Sequence, residues 1–183
     1  MQITLTQSGD YAVRVVLVLA RRAGEGLLKA REVAEETDIP VRYLPQIMAA
    51  LVHAGFLEAT AGRAGGYRLA RPASEISLLD LIRGIEGPLR RERCVLQGGP
   101  CDWESVCPLH LVWHEVESDV ERRLGAATFA DLAVLDEAIE AGALPIPSDT
   151  HGRSVPRRGL RPAAPEHVET GEKADGGSME KPV

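Results

Sequence analysis

The stretch TDIPVRYLPQIMAALVHAG, residues 37–55, decides the fold. Thr37-Asp38-Ile39-Pro40 reads as a turn, since a proline pushes the residue before it away from helical geometry. Val41 to Ala54 then reads as a helix whose Leu44, Ile47, Met48 and Leu51 share one face, the spacing of a side turned toward a core. Pro45 is tolerable there because the first amides of a helix have no intrahelical partner. Gly55 closes the helix.

Upstream, Lys29 to Glu36 reads as a short helix with Val33 and Ala34 inward. Before it, Ser8 to Arg22 is a helix apolar on nearly every side, with Ser8 as its N-cap, Asp10 in its first turn and Gly24 as its stop. Downstream, Phe56 to Ala61 and Tyr67 to Ala70 are short strands flanking Gly62-Arg63-Ala64-Gly65-Gly66, a glycine-tipped hairpin with an arginine near its tip. Ser77-Leu78-Leu79-Asp80 resembles a capping box opening a helix that runs to Glu86 and is broken by Gly87-Pro88. Helix, short helix, turn, helix, hairpin is the order of a winged helix-turn-helix. In that arrangement the second helix of the pair enters the major groove of double-stranded DNA and the hairpin tip reaches the neighbouring minor groove or backbone. The side chains available are Arg42, Tyr43 and Gln46 at the start of the helix and Arg63 and Arg68 on the wing. Arg grips guanine or phosphate, Tyr donates to phosphate, Gln pairs with adenine, and a wing Arg suits a narrow minor groove. The plain alternative is that these are ordinary surface residues of a small helical domain.

Charge distribution permits DNA binding without demonstrating it. The chain of 183 residues has a net charge of −6, unevenly placed. Residues 1–93 carry 13 Lys/Arg against 11 Asp/Glu, residues 94–144 carry 2 against 10, and residues 145–183 carry 6 against 6. The first half is therefore mildly basic, and a phosphate-contacting surface needs local clusters rather than a basic total. No stretch is long and apolar enough to span a membrane, since Val13 to Ala20 is interrupted by Arg14. With no signal pattern, a cytoplasmic protein is expected, and in that compartment an odd count of 3 Cys argues against structural disulfides.

Pro108 suits the first turn of a long helix, on which Leu109, Val112, Trp113, Val116, Val120 and Leu124 form one stripe and Glu115, Glu117, Asp119 and Glu121 the polar side. Such a stripe is too apolar for a solvated helix, so it is expected to pair two copies in an isologous homodimer. Thr128 caps a last helix that runs to about Ala141. From Pro145 onward there are 6 prolines, 5 glycines and no aromatic residue, so residues 145–183 are expected to be a disordered tail.

Cys94, Cys101 and Cys107 lie in a Gly/Pro-rich loop with six and five residues between them. Three thiolates in such a loop can converge on one soft or borderline metal. The spacing is long for a zinc knuckle built on Cys-x-x-Cys pairs. Zinc, a thiol redox switch without metal, an iron–sulfur cluster and three unrelated cysteines all remain open on spacing alone. So does a small redox enzyme using Cys107 and His110 as nucleophile and base, although no substrate-pocket signature or second acid–base constellation accompanies that pair.

Taken together, Gly9-Asp10-Tyr11-Ala12-Val13-Arg14, Ile39 to Ile47, Gly62 to Arg71, Ile76-Ser77-Leu78 and the three cysteines ahead of a long helix resemble the IscR/NsrR/RirA-type regulators of the Rrf-two family over about residues 1–142. The resemblance implies a homodimeric transcription regulator, usually a repressor, on a palindromic operator, and no enzyme. It implies a 2Fe-2S or 4Fe-4S cluster held by the cysteine loop and sensing nitric oxide, redox or iron status. For a fourth ligand it offers two residues. His110 matches the Cys-x-x-His of IscR-like members, and Asp10 occupies the place of the aspartate that closes the cluster from the other subunit in NsrR-like members. His110 is the preferred one, because a helix fixes it one turn after Cys107. His114 is assigned no role at the metal. The chain departs from IscR-like members at Pro45, where they place an acidic residue that governs sequence choice, so their operator is not transferable. The expected fold is mostly α with a small β-wing. A winged helix-turn-helix (1–87) is followed by a cysteine-rich cluster loop (88–107), a dimerisation helix and closing helix (108–144) and the tail (145–183).

Overall fold

In the computed structural model, residues 5–88 and 107–144 are described. The middle of the cysteine loop, with Cys94 and Cys101, and the tail from Pro145 onward lie outside the described residues. The elements are α1 (Gln7–Arg21), α2 (Ala30–Thr37), α3 (Leu44–His53), β1 (Leu57–Thr60), β2 (Gly66–Leu69), α4 (Leu78–Glu86), α5 (Pro108–Ala126) and α6 (Phe129–Glu140), with a 3-10 turn at Ala73–Glu75. The fold is mostly helical with one antiparallel hairpin, as expected from the sequence.

Helix α1 is the centre of the core. Ala12, Val15, Val16, Val18 and Leu19 are buried, and α2, α3, α4, α6 and β2 all pack on the helix. Its N-cap is Thr6, whose hydroxyl accepts from the Gly9 amide, and not Ser8. Both residues are good caps, and only Thr6 has extended backbone at the right turn. The helix ends at Arg21, with Arg22 as its C-cap, and Gly24 adopts φ +100° in the turn beyond.

Helix α3 buries Leu44, Ile47, Met48 and Leu51, the expected face, yet it starts at Leu44 rather than Val41. Val41 to Tyr43 form a turn closed by the Tyr43 amide donating to the Pro40 carbonyl at 2.8 Å. Starting there places Pro45 where its missing amide proton costs no helical hydrogen bond. Arg42 and Tyr43 are therefore turn residues ahead of the helix, and Gln46 alone of the three lies on it.

The remaining boundaries follow their capping chemistry. Ser77 caps α4 in a reciprocal box with Asp80, and Thr128 caps α6 in the same way with Asp131. The two caps also bridge one another: the Leu78 amide donates to the Ala127 carbonyl and the Phe129 amide to the Ile76 carbonyl, each at 2.9 Å. Phe129, fully buried, is seated by that bridge. α6 is further clamped to α1 by Arg21, which reaches Asp136 at 2.9 Å and Glu140 at 2.8 Å. Among the described residues no helix is long and apolar enough to cross a membrane.

Candidate nucleic-acid interface and ligand site

The hairpin builds the wing from its register. Leu57 pairs with Leu69, Glu58 with Arg68, Ala59 with Tyr67 and Thr60 with Gly66, leaving residues 61–65 as the tip, within which the Gly65 amide closes a turn on the Gly62 carbonyl at 3.0 Å. Gly62 adopts φ +108°, a conformation that side-chain-bearing residues rarely adopt. Gly66 is required by closeness: a Cβ there would come 2.6 Å from the Leu28 carbonyl oxygen. Leu28 and Tyr67 exchange two backbone hydrogen bonds of 2.9 and 2.8 Å, which staple the segment leading into α2 against the wing.

Pairing separates the cations of this half. Arg14 is held by Asp10, Arg22 by Glu25 and Glu36, Arg31 by Glu35, and Arg68 by Glu58 across the hairpin at 2.7 Å. Lys29, Arg42, Arg63 and Arg71 have no carboxylate partner among the described residues. Arg71 lies over the Phe56 ring. Arg42 stacks 4.8 Å over the Tyr43 ring, which itself lies 6.0 Å from that of Tyr11. Tyr43 is half-buried by this arrangement and Gln46 is exposed on α3. The structure thus leaves Arg42 and Arg63 available to an anion while committing Arg68 to Glu58. Sequence reasoning passed over Lys29; its missing acidic partner became visible only with the fold.

Further along the chain, Cys107 is the N-cap of α5, half-buried, with no cap hydrogen bond from its side chain. The His110 amide donates to the Cys107 carbonyl at 2.9 Å, and its exposed ring lies 6.5 Å from that of His114. Asp10 is 46 % exposed and paired with Arg14 of its own chain at 2.8 Å. No cluster of three or more potential metal ligands occurs among the described residues, which exclude Cys94 and Cys101. A link absent from the sequence reading joins the base of the cysteine loop to α1: the Thr6 amide and hydroxyl both donate to Glu86 Oε1, at 2.7 and 2.9 Å. Asp10 stands one turn from that link, its amide donating to the Thr6 carbonyl.

The stripe on α5 divides. Leu109, Val112 and Val116 are exposed, at 53, 61 and 40 %, and Leu111 beside them at 61 %. Trp113, Val120 and Leu124 are half-buried. Glu121, expected on the wet side, is 18 % exposed and pairs with Arg83 of α4 at 3.2 Å. The C-terminal half of α5 leans on α4, and its N-terminal half presents apolar side chains outward. No residue of the helix is fully buried.

A family model described as Rrf2, iron-dependent transcriptional regulator, matches residues 5–134. The chain belongs to the Rrf2 family of transcriptional regulators. Protein rrf2 of Nitratidesulfovibrio vulgaris is 30 % identical over 128 residues, covering 70 % of this chain and 86 % of that one. Among solved structures, IscR of T. potens matches with 30 % identity and a TM-score of 0.61 over 80 % of this chain and 96 % of that one. CymR, the global cysteine regulator of B. subtilis, matches with 27 % identity and a TM-score of 0.63 over 73 % and 98 %. This Rrf2 protein therefore has the winged-helix architecture read from its sequence, and its relatives are transcriptional regulators.

Proposed function

We propose that this Rrf2 protein is a homodimeric regulator, acting as a repressor, whose binding to a palindromic DNA operator is controlled by an iron–sulfur cluster held by Cys94, Cys101 and Cys107. The observation that carries the reading is the coincidence on one helix: Cys107 begins α5, His110 follows one turn later, and the exposed stripe Leu109, Val112 and Val116 starts between and beyond them. The donor chemistry suits such a group. Cys107 has no side-chain cap hydrogen bond to give up, and His110 is exposed. Asp10 must break its pair with Arg14 before it can ligate, which favours His110 as the fourth ligand. When bound, the cluster supplies a centre reactive toward nitric oxide, oxygen or iron loss. The residues do the rest. Cys107 and His110 fix the first turn of α5, and that turn sets the angle of the stripe facing a second copy. Through that contact the spacing of the two α3–wing units on DNA is set, with Arg42, Tyr43, Gln46 and Arg63 toward the duplex and Arg68 buttressing the wing through Glu58.

The match to a cysteine regulator supports a second reading, in which the same three cysteines act as a thiol switch without metal. The visible absorption of anaerobically purified protein separates the two. The first reading expects a brown protein, bleached by Ala at Cys94, Cys101 or Cys107, with a shortened cluster lifetime in His110→Ala and a smaller change in Asp10→Ala. A colourless protein with stoichiometric zinc, or with thiols that oxidise reversibly as operator affinity changes, overturns it. A silent His110→Ala beside a destroyed site in Asp10→Ala transfers the fourth position to Asp10.

A further inference from the structure

Resting on the DNA-binding reading above, we propose that Lys29 is a second phosphate contact of the wing: the cleft between the start of α2 and the hairpin receives one backbone phosphate of the duplex between Lys29 and Arg63. The cleft holds about 480 Å³ and is lined by Lys29, Thr60, Arg63 and Tyr67 with the backbone of Gly65 and Gly66. That is far larger than the roughly 30 Å³ share of one water molecule, so a phosphodiester fits with its hydration. Its two walls are held together by the hydrogen bonds between Leu28 and Tyr67, so Lys29 moves with the wing and not independently of it.

Three observations favour an anion there. Both cations are exposed and lack a carboxylate partner, whereas Arg31, two residues on and 89 % exposed, is paired with Glu35 at 2.8 Å. Glu32, the acidic residue in the first turn of α2, is taken by the Lys29 amide at 2.8 Å and not by its ammonium, and Lys29 lines the cleft together with Arg63. Glycine at 66 lets the wing lie directly against Leu28, closing the cleft floor with backbone instead of a side chain. An exposed, unpaired ammonium on a flexible stem acts as a point charge toward phosphate and reads no sequence. Lys29 therefore positions the wing on DNA and leaves operator choice to other residues.

The test uses the full-length protein and a duplex selected by it from a random pool, with affinity measured across salt concentrations. Lys29→Gln is expected to weaken binding about tenfold at low salt, and to flatten the log–log salt slope by about 0.9. Arg63→Ala is expected to do the same, while Arg31→Gln changes neither quantity and Lys29→Arg restores both. Replacing phosphates singly by methylphosphonate should reveal one position where Lys29→Gln loses less affinity than the wild type, the remaining loss being the share of Arg63, and where Lys29→Gln with Arg63→Ala loses nothing more. Circular dichroism checks that each variant is folded. An unchanged slope in Lys29→Gln with a normal wild-type slope overturns the inference alone. An equal loss in Arg31→Gln also overturns it, since the effect is then general charge. Tight binding of inorganic phosphate, lost in Lys29→Gln while the DNA slope is unchanged, makes the cleft a small-anion site and overturns it too. A wild type that selects no duplex overturns the DNA-binding reading itself.

Discussion

Helices α1 and α5 are the two longest in the described chain and meet their surroundings in opposite ways. α1 buries Ala12, Val15, Val16, Val18, Leu19 and Ala20 within its own protomer, whereas α5 buries no residue at all. Val16 is fully shielded, and Val116 is 40 % exposed. Both sequences are rich in valine, so composition does not separate them; neighbours do. α1 has α2, α3, α4 and α6 around it, while α5 touches chiefly α4. A helix completed inside the protomer reports stability, and one left half-covered has apolar surface for the proposed second copy.

One substitution placed in both helices tests that contrast, and its effect is the largest expected. Val16→Glu puts an unpaired carboxylate in the core and should cost about 4 kcal/mol or more, enough to unfold most of the protein. Val116→Glu should leave the folded signal near normal while shifting the protein from dimer to monomer in sedimentation. If Val116→Glu stays dimeric, the homodimer is built elsewhere and the proposed coupling of α5 to the cysteine loop fails with it.

A medium effect is expected where α1 is tied to α6. Arg21 and Asp136 have side chains 6 and 8 % exposed. The hydrogen bond to Glu140 raises the Arg21 pKa against the cost of burial, with help from the charge of Glu140 and Asp136. Arg21→Leu removes a counter-charge from the buried Asp136 carboxylate and should cost about 3 kcal/mol. The denaturant midpoint measures it, and Arg21→Leu with Asp136→Leu should recover much of the loss. A loss below about 0.5 kcal/mol would mean that the pair behaves as a surface ion pair.

The order of elements was legible because each is announced locally. Pro40 and Gly55 bracket α3, Ser77 and Thr128 open their helices by reciprocal capping, and the wing is written in Gly62 and Gly66. What escaped was either a choice between near-equivalent neighbours or a contact far along the chain. Thr6 against Ser8 is decided by backbone geometry, which two hydroxyl residues two positions apart do not disclose. The α3 start moved three residues because hydrophobic spacing marks a face and not an end. Arg68 reads from the sequence as a support for Arg63, and its pairing with Glu58 emerges only from the cross-strand register. Thr6–Glu86 and Arg21–Asp136 join residues 80 and 115 positions apart, beyond any local pattern. Of the proposed ligand set, Cys107, His110 and Asp10 are placed, and their convergence with Cys94 and Cys101 rests on the sequence.

The smallest effect is expected on the exposed side of α5. Asp119 accepts hydrogen bonds from Arg123 Nε, at 2.8 Å, and from Arg122. The hydrogen bond from Arg123, then that from Arg122, holds its carboxyl below the usual carboxylate range. The sign follows directly. A carboxyl with a depressed pKa in the helix stabilises that helix above its ordinary pKa and loses the contribution as pH falls through the depressed value. All three side chains are well exposed, so solvent and salt screen the contribution and it stays small. In the proposed dimer, contacts along the stripe should hide it. It should emerge in a monomer made by Val112→Arg, which leaves the surroundings of Asp119 untouched. There the helical circular dichroism should decline modestly as acid protonates Asp119, and Asp119→Ala should remove that part of the decline. If the dimer shows the same acid response as the monomer, the partner adds nothing to α5, and the contrast with α1 is one of local packing alone.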